Sequence, residues 1–234
     1  MSALAWPAAH WLFQWLFQWP RPAELRIDVD QRHEDIEREL DAIELRMACA
    51  GDRLHGLETL PIGLPGFVFR HRVADGEHYV YAIDAASGRL AGYTVFNRLV
   101  EVDRRADRYL RAPHSKYRPA WQRRGIATAV HRWWLAAGNC MISGARLSPG
   151  AHALWLALAR DHPLAYVRLR DRKLAWLSLR EAAREREELG TRMILFGRGW
   201  DGDRLGVAAG VQPACAIPEW PGKPSRQDGN RFER

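Results

Sequence analysis

A basic, glycine-bearing segment near the middle of the chain has the residue types of an anion site. Its sequence is Tyr117-Arg118-Pro119-Ala120-Trp121-Gln122-Arg123-Arg124-Gly125-Ile126-Ala127-Thr128, and it joins a predicted strand to a predicted helix. The first backbone N–H groups of a helix have no partner within it, and the helix dipole makes that end positive. Gly125 lets an anion approach the backbone, Ala127 keeps the next turn clear, and two arginines add charge. A pyrophosphate suits such a turn.

The flanking segments supply the elements that would hold this turn. A strand is predicted within 109–118, and a helix over about 125–137, where apolar residues recur on one face and Gly138 marks the end. A second helix is predicted from Pro149, with Ser148 as its N-cap, because proline suits the first helical position and serine caps the free N–H groups.

The remaining segments alternate between a period of two, which favours strands, and helical spacing. They are a helix over 30–47, a strand from Phe67, a hairpin of strands 78–83 and 90–96 around the turn 84–88, a short strand at 140–142, a hairpin of strands 164–169 and 174–177 around 170–172, a charged helix over 180–190 and a short strand at 193–196.

Two sequence blocks together resemble the GNAT-type N-acetyltransferases. The first resembles motif A, an x-Pro-x-aromatic segment followed by Gln/Arg-x-x-Gly-x-Gly/Ala, through Pro119, Trp121, Gln122, Gly125 and Ala127. The second, Ser148-Pro149-Gly150-Ala151-His152-Ala153-Leu154-Trp155, resembles the family's helix pattern Asn-x-x-Ala-x-x-Leu-Tyr. The resemblance covers roughly residues 65–177, with the blocks in the family's order. The Ser-Pro-Gly form of the second block also resembles phage-related GNAT-like proteins.

The resemblance implies an α+β fold of the GNAT-like acyl-CoA N-acyltransferase type, with a mixed, mostly antiparallel central sheet flanked by helices. It implies acetyl-CoA or another acyl-CoA as co-substrate, and no metal. The motif A turn would hold the CoA pyrophosphate, and the strand before it would pair with the pantetheine arm. The acyl carbonyl would lie where two parallel strands splay apart. The donor-binding residues so implied are Tyr117, Gln122, Arg123, Arg124, Gly125, Ile126, Ala127, Thr128 and Ser148.

Direct attack of an amine on a thioester needs a base and a group that stabilises the departing thiolate. The family's acidic tyrosine is replaced by Trp155, whose indole N–H can donate a hydrogen bond but has no useful acidity. We therefore consider Tyr166, on the next strand, as a replacement acid, with a core tyrosine as the alternative. Histidine titrates near neutrality, so His114 is a candidate base. Glu101 or Asp103, acting through a water, is a further candidate.

Composition restricts the class of protein. The 234 residues are 47% apolar and 27% charged, which excludes disordered, collagen-like and coiled-coil chains. No apolar run is long enough for a membrane span, and the N-terminus lacks the features of a signal peptide, so we expect a cytoplasmic protein. The net charge of +7 favours an anionic partner such as a CoA phosphate or a nucleic acid, although high-GC coding bias also explains the excess of arginine.

Metal-binding and disulfide patterns are not found. The three cysteines, Cys49, Cys140 and Cys215, are widely spaced and form no CxxC pair, so neither a zinc ribbon nor a disulfide framework is expected. His131 and His152 lie on predicted helices without a metal-ligand partner in the sequence and are interpreted as structural.

The chain is predicted to divide into five segments. These are a Trp-rich leader (1–22), an N-terminal helix and loop joined to the domain (23–64), a GNAT-like acyltransferase core (65–180), an accessory helix and strand (181–210) and a flexible tail (211–234). In the leader, tryptophans recur every four residues, which indicates a helix packed on the body or a stripe for a partner or membrane surface.

Three functions follow from these observations. The first is an acyl-CoA-dependent N-acyltransferase acting on an amine of a small molecule, protein or nucleic acid. The second is a nucleic-acid-modifying protein of the same fold, suggested by the positive charge. The third is a non-catalytic acyl-CoA-binding or interaction protein, suggested by Trp155. The sequence has no Walker loop, HExxH, GxSxG or kinase signature that favours another chemistry.

Overall fold

The computed structural model describes residues 33–185 and 188–213. The helices are α1 (His33–Ala48), α2 (Arg104–Asp107), α3 (Ile126–Ala136), α4 (Pro149–Leu158), α5 (Leu179–Arg184) and α6 (Gly202–Ala209). The strands are β1 (Glu58–Leu60), β2 (Phe67–Ala74), β3 (Glu77–Asp84), β4 (Leu90–Asn97), β5 (Leu110–Tyr117), β6 (Cys140–Ile142), β7 (Leu164–Arg170), β8 (Lys173–Leu177) and β9 (Thr191–Leu195). The fold class is α+β, as predicted. No helix in this part of the chain is long and apolar enough to cross a membrane.

The strands form one mixed sheet in the order β1-β2-β3-β4-β5-β6-β9-β7-β8. All neighbouring pairs are antiparallel except β5 and β6, which are parallel. Strand β9 lies between β6 and β7, so the strand that the sequence suggested as accessory is internal to the sheet. Its residues Met193, Ile194 and Leu195 are buried, because both of its edges are paired and both of its faces are covered.

The sheet has two covered faces. On the first, which we call the α1 face, Leu40 and Ile43 of α1 pack with Tyr93 and Val95 of β4, and α2 and α6 pack further along the same face. On the second, the α3 face, α3 and α4 pack on the other side chains of the same strands. Because side chains alternate along a strand, the even-numbered residues of β5 from Leu110 onward point to the α1 face.

A buried arginine fixes α1 to the end of β5. The side chain of Arg118 is 2% exposed, and its Nε donates to the Leu90 carbonyl at 2.8 Å. Its terminal nitrogens contact three carboxylates, those of Glu37, Asp41 and Glu44. These acids are spaced by four and three residues and so share one face of the helix. The contacts neutralise the buried charge, as a stable structure requires.

Local sequence signals predicted several elements correctly. The two hairpins, the helices at α3 and α4 and the strand at β5 are confirmed within a few residues. Ser148 caps α4 by accepting from the Ala151 N–H at 3.2 Å, as predicted. The charged helix is shorter than the predicted 180–190, because α5 ends at Arg184. The predictions missed β1, α2 and α6, which are short.

The two ends of the chain lie mostly outside the described residues, which include none of the predicted Trp-rich leader. Val211 and Gln212, the first residues of the predicted flexible tail, contact the sheet. Val211 is buried, and Gln212 exchanges backbone hydrogen bonds with β8, accepting from the Trp176 N–H and donating to the Leu174 carbonyl.

We expect acid to destabilise the fold through His131. Burial lowers the pKa of this histidine from 6.5 to about 4, and its Nδ1 lies 2.7 Å from the Ala127 carbonyl. The folded chain therefore binds fewer protons than the unfolded chain, so the contribution is complete above pH 6.5 and is lost as pH falls. At pH 5 the loss is about 2 kcal/mol of unfolding free energy. Urea unfolding at pH 7 and pH 5 measures it.

The matched variants for this measurement are His131→Gln and His152→Gln. The loss of unfolding free energy between pH 7 and pH 5 should shrink by about 2 kcal/mol in the first variant. It should stay unchanged in the second, because His152 is exposed. An equal loss in wild type and His131→Gln contradicts the prediction.

Candidate active site

The sheet opens beside β5. The parallel pairing of β5 with β6 extends over only two positions, Leu110↔Cys140 and Arg111↔Met141, and β6 ends at Ile142. Strand β5 continues to Tyr117, paired with β4 on its other edge. Among the described residues, the free edge of β5 from 112 to 117 has no strand partner. We call the space between this edge and β9 the gap.

The gap is about one strand wide. Strand β9 bounds its far side. Ile194 pairs with Ile142 at the end of β6, Ser143 still exchanges hydrogen bonds with Met193, and Arg192 and Thr191 lie beyond these contacts. Neighbouring strands lie about 4.8 Å apart, so β5 and β9 are roughly 10 Å apart across the missing strand. An extended chain of a ligand can occupy the missing position and hydrogen-bond with the β5 backbone.

The free edge of β5 ends at the basic turn. A 3₁₀ turn, Pro119–Trp121, leads to Arg123 at φ 61° and Gly125 at φ 79°, both in the left-handed region. Gly125 caps α3, and its carbonyl accepts from the Ala129 N–H at 2.9 Å. Within the described ranges, the backbone N–H groups from 123 to 128 donate no hydrogen bond. Such a run of N–H groups at a helix start forms a concave anion site.

The surroundings of the turn leave room and charge for an anion. A Cβ placed on Gly125 meets no atom within 4 Å, so the space above this residue is open. Arg123 and Arg124 are exposed and form no ion pair within the described part of the chain. The turn is anchored from below, where Gln122 Nε2 donates to the Tyr117 carbonyl at 2.9 Å and the Tyr117 hydroxyl lies 2.7 Å from Thr94 Oγ1.

His114 lies on the gap edge of the α1 face. It is paired with Val95 of β4 and lies two residues beyond Ala112. Burial lowers the pKa of His114, and the charge of Lys116 lowers it further, while Glu39 opposes the shift. The imidazole is therefore neutral at pH 7 and can accept a proton.

Glu101 lies over the same face, in the loop between β4 and α2. Its carboxylate is 3.5 Å from Nη2 of Arg192, a buried residue of β9. Asp103, the other carboxylate suggested by the sequence, serves as the N-cap of α2 and accepts from the backbone N–H groups of Arg105 and Ala106. The carboxylate of Asp103 is thus used in capping α2, whereas Glu101 is half-exposed beside Arg192.

Tyr166 lies on the opposite, α3 face. It is one strand further from the gap, on β7, where it pairs with Met193 of β9. It packs against the apolar cluster that contains Trp155, whose side chain is 2% exposed. Among the described residues, the Tyr166 hydroxyl has no hydrogen-bond partner. The candidate base and the candidate acid therefore lie on different faces of one sheet.

Two other expectations concern Ser148 and metals. The Ser148 oxygen is used as the cap of α4, although its hydroxyl proton remains free to donate. No group of three or more His, Cys, Asp or Glu residues in 33–185 and 188–213 is placed to hold a metal ion.

The order of these elements agrees with the order that the resemblance implies. Antiparallel strands precede β5, the basic turn enters α3, β6 is short and parallel, and α4 leads to closing antiparallel strands. The short parallel pairing of β5 with β6, beyond which the gap opens, corresponds to the splayed strands that the resemblance implies. The arrangement thus matches the GNAT-type fold that the resemblance implies. In the described residues the sheet has nine strands, with β1 added at one edge and β9 inserted between β6 and β7.

Solved structures include proteins similar to this chain. A GNAT superfamily phosphinothricin acetyltransferase from Sinorhizobium meliloti, in complex with AcCoA, has 22% identity and a TM-score of 0.34, over 53% of this chain and 63% of that chain. A cAMP-binding acyltransferase from Mycobacterium smegmatis has 9% identity and a TM-score of 0.38, over 75% of this chain and 58% of that chain. The chain thus spans less than two thirds of either protein. No protein-family model and no curated protein matches the sequence.

Sequence reasoning missed two arginines near the gap. Arg118 and Arg192 are both buried, yet each is surrounded in the sequence by ordinary strand or turn residues. Arg118 follows directly after β5 and lies inside the motif A block, which is a weak signal of a special position. Arg192 has no local signal, because its burial depends on the insertion of β9 between two strands that precede it in the chain.

Proposed function

We propose that the chain is an acyl-CoA-dependent N-acyltransferase that transfers an acetyl group from acetyl-CoA to an amine by direct attack in a ternary complex. The supporting observation is the continuity of the free β5 edge with the turn at 122–128. One extended ligand with a pyrophosphate at one end can follow both. Neither feature alone suits this ligand as well as the two together.

The donor would be held mainly by backbone groups. The N–H groups from Arg123 to Thr128 bind the pyrophosphate, supported by the guanidinium charges of Arg123 and Arg124. The pantetheine amides pair with the free edge of β5, in the manner of an added strand. Tyr117 stabilises this edge from within, because its buried hydroxyl is hydrogen-bonded to Thr94.

The transfer then needs one proton acceptor and one donor. The amine nitrogen bonds to the acyl carbon, the C–S bond breaks, and the sulfur leaves as a thiolate. We assign the proton of the attacking nitrogen to His114, which is neutral at pH 7 and lies beside the gap. We assign stabilisation of the thiolate to the Tyr166 hydroxyl, whose hydrogen-bonding capacity is not used within the described residues. Glu101 is the weaker candidate base because it is paired with Arg192.

Replacement of Gly125 tests donor binding. We expect Gly125→Leu to weaken acetyl-CoA binding at least tenfold, about 1.4 kcal/mol, because the side chain enters the open space where the phosphate would approach. Gly51→Leu is the matched control, since Gly51 has φ 89° and its Cβ also meets no atom within 4 Å. It reproduces the left-handed strain outside the turn. Isothermal titration with acetyl-CoA measures both variants.

The result separates three cases. Weakened binding in Gly125→Leu alone supports the assignment of the turn to the donor. Equal affinity in folded Gly125→Leu and wild type contradicts it. Mass spectrometry of a cell lysate incubated with wild type and labelled donor shows whether any amine is acylated. Binding of acetyl-CoA without such acylation would instead favour a non-catalytic acyl-CoA-binding protein.

A further inference from the structure

Arg192 is a buried cation with too few partners. The residue is 4% exposed, and its Nε has no hydrogen-bond partner among the residues that the structure describes. One terminal nitrogen donates to the Leu189 carbonyl, and the other lies 3.5 Å from the carboxylate of Glu101, whose side chain is 46% exposed. Burial lowers the pKa of Arg192, the direction expected when solvation of a charge is lost without full replacement.

Arg118 shows what a structural buried arginine looks like in this chain. It is buried to a similar degree, yet it contacts three carboxylates and a carbonyl, and its Nε is occupied. An incompletely paired buried charge is destabilising. A chain that keeps such a group at a loss of stability does so most often at a functional site.

The free part of Arg192 is the edge that recognises carboxylates. Nε and Nη2 of a guanidinium form a fork that matches two carboxylate oxygens. This chain uses that edge elsewhere, for example in Arg168, which donates through Nε and Nη2 to both oxygens of Glu185. Arg46 does the same with Asp52 at 3.0 and 3.2 Å. In Arg192, Nη2 makes one long contact, with Glu101, and the Nε–H group has no acceptor among the described residues.

The position of Arg192 relates it to the gap. The register of β5 with β6, extended by one residue, brings Ala112 beside Ile142, which pairs with Ile194 of β9, and the three side chains share one cluster. Two residues further along each strand, the corresponding positions are His114 on β5 and Arg192 on β9, and β6 ends before this point. Both side chains belong to the α1 face, because alternate residues share a face. Arg192 and the candidate base thus lie at corresponding positions on the two sides of the gap.

We propose that Arg192 binds a carboxylate of the acceptor, so that the substrate is an amine carrying a carboxylate within a few bonds of its nitrogen. Without the acceptor, the Glu101 carboxylate occupies this position beside Arg192, and the carboxylate of the acceptor displaces it. The separation of roughly 10 Å between β5 and β9 accommodates the thioester beside β5 and a short amino acid between it and Arg192. This inference rests on the proposed function, whose substrate class it names.

Stability measurements test whether Arg192 is a functional rather than a structural cation. We expect Arg192→Met to unfold at the same urea concentration as wild type or at a higher one, because a methionine of similar length removes an incompletely paired charge. Arg118→Met is the matched comparison and should unfold at a lower urea concentration, since three carboxylates lose their shared partner. A loss of stability in Arg192→Met as large as that in Arg118→Met overturns the proposal.

Binding measurements test the ligand class. Glycine and glycinamide serve as probes, since they differ only in the carboxylate, and each is titrated into protein saturated with CoA. We expect glycine to bind at least tenfold more tightly than glycinamide to wild type, and this preference to disappear in Arg192→Met. Equal binding of the two probes to wild type, or an unchanged preference in Arg192→Met, overturns the proposal.

The proposed acyltransferase function and the proposed class of acceptor can be contradicted separately. Absence of acetyl-CoA binding in wild type would contradict the proposed function, but an Arg192-dependent preference for glycine over glycinamide, measured without CoA, would still establish the carboxylate site. Conversely, acetyl-CoA binding sensitive to Gly125→Leu, together with no preference for glycine, leaves the acyltransferase proposal standing and removes the substrate class.

Discussion

Replacing His114 with glutamine is expected to lower kcat by about a hundredfold to ten-thousandfold, the range lost with a general base. Glutamine has a similar length and can still hydrogen-bond, but it cannot take the proton of the attacking amine. Acetyl-CoA binding should persist, because His114 lies eight residues before the turn at 122–128 that we propose binds the pyrophosphate. Steady-state kinetics and titration with acetyl-CoA measure the two effects separately.

The pH dependence of kcat/KM gives an independent reading of the same residue. The base is active when neutral, and burial lowers the pKa of His114 below 6.5, so activity should stay high at pH 7 and fall only below pH 6.5. This acidic limb should disappear from the residual activity of His114→Gln. His152→Gln, on the exposed side of α4, is the control. It should keep the wild-type kcat and the wild-type fall of kcat/KM below pH 6.5. An unchanged kcat in His114→Gln would show that His114 is not the base.

The sequence predicted the parts of this site that depend on local signals. Gly125 at the start of an apolar helical pattern and Ser148 before Pro149 each mark a helix start, and both helices begin there. The strand before the turn was equally clear. These features need only the conformational preferences of a few neighbouring residues, so one sequence is sufficient to find them.

The remaining features depend on contacts between distant segments. Strand β9 follows β8 in the chain but lies between β6 and β7, and no local pattern states which strands a segment will pair with. This insertion buries Arg192 and forms one wall of the gap. The pairing of Arg118 with α1 likewise joins segments more than 70 residues apart. Candidate catalytic residues could therefore be named from the sequence, but not assigned to faces of the sheet.

Trp155 occupies the position at which the GNAT helix pattern has a tyrosine. Trp155 is buried in the cluster of the α3 face, so its ring fills the core, and the hydroxyl of a tyrosine would need a partner at that position. Tyr166 belongs to the same cluster but is only partly buried. Loss of an acid from α4 and its replacement from β7 would keep the donor on the same face.

Tyr166→Phe is expected to lower kcat by about tenfold to a thousandfold, the range lost with a general acid or one oxyanion-type donor. The ring, and with it the packing on the α3 face, is retained, so the free energy of unfolding should stay near that of wild type. Acetyl-CoA binding should also persist, because Tyr166 is not part of the turn. Kinetics with a saturating acceptor and urea unfolding of the same variant measure both quantities.

Trp155→Phe provides the opposite expectation and thus the matched control. Removing part of a fully buried indole leaves a cavity, which destabilises the fold, while the rate per folded molecule should change little because an indole N–H cannot protonate a thiolate. A CoA thiolate leaves more easily when a hydrogen bond stabilises it, so the step requires a donor rather than a strong acid. Full activity in Tyr166→Phe would show that this hydroxyl supplies no such bond and that the tyrosine is a core residue.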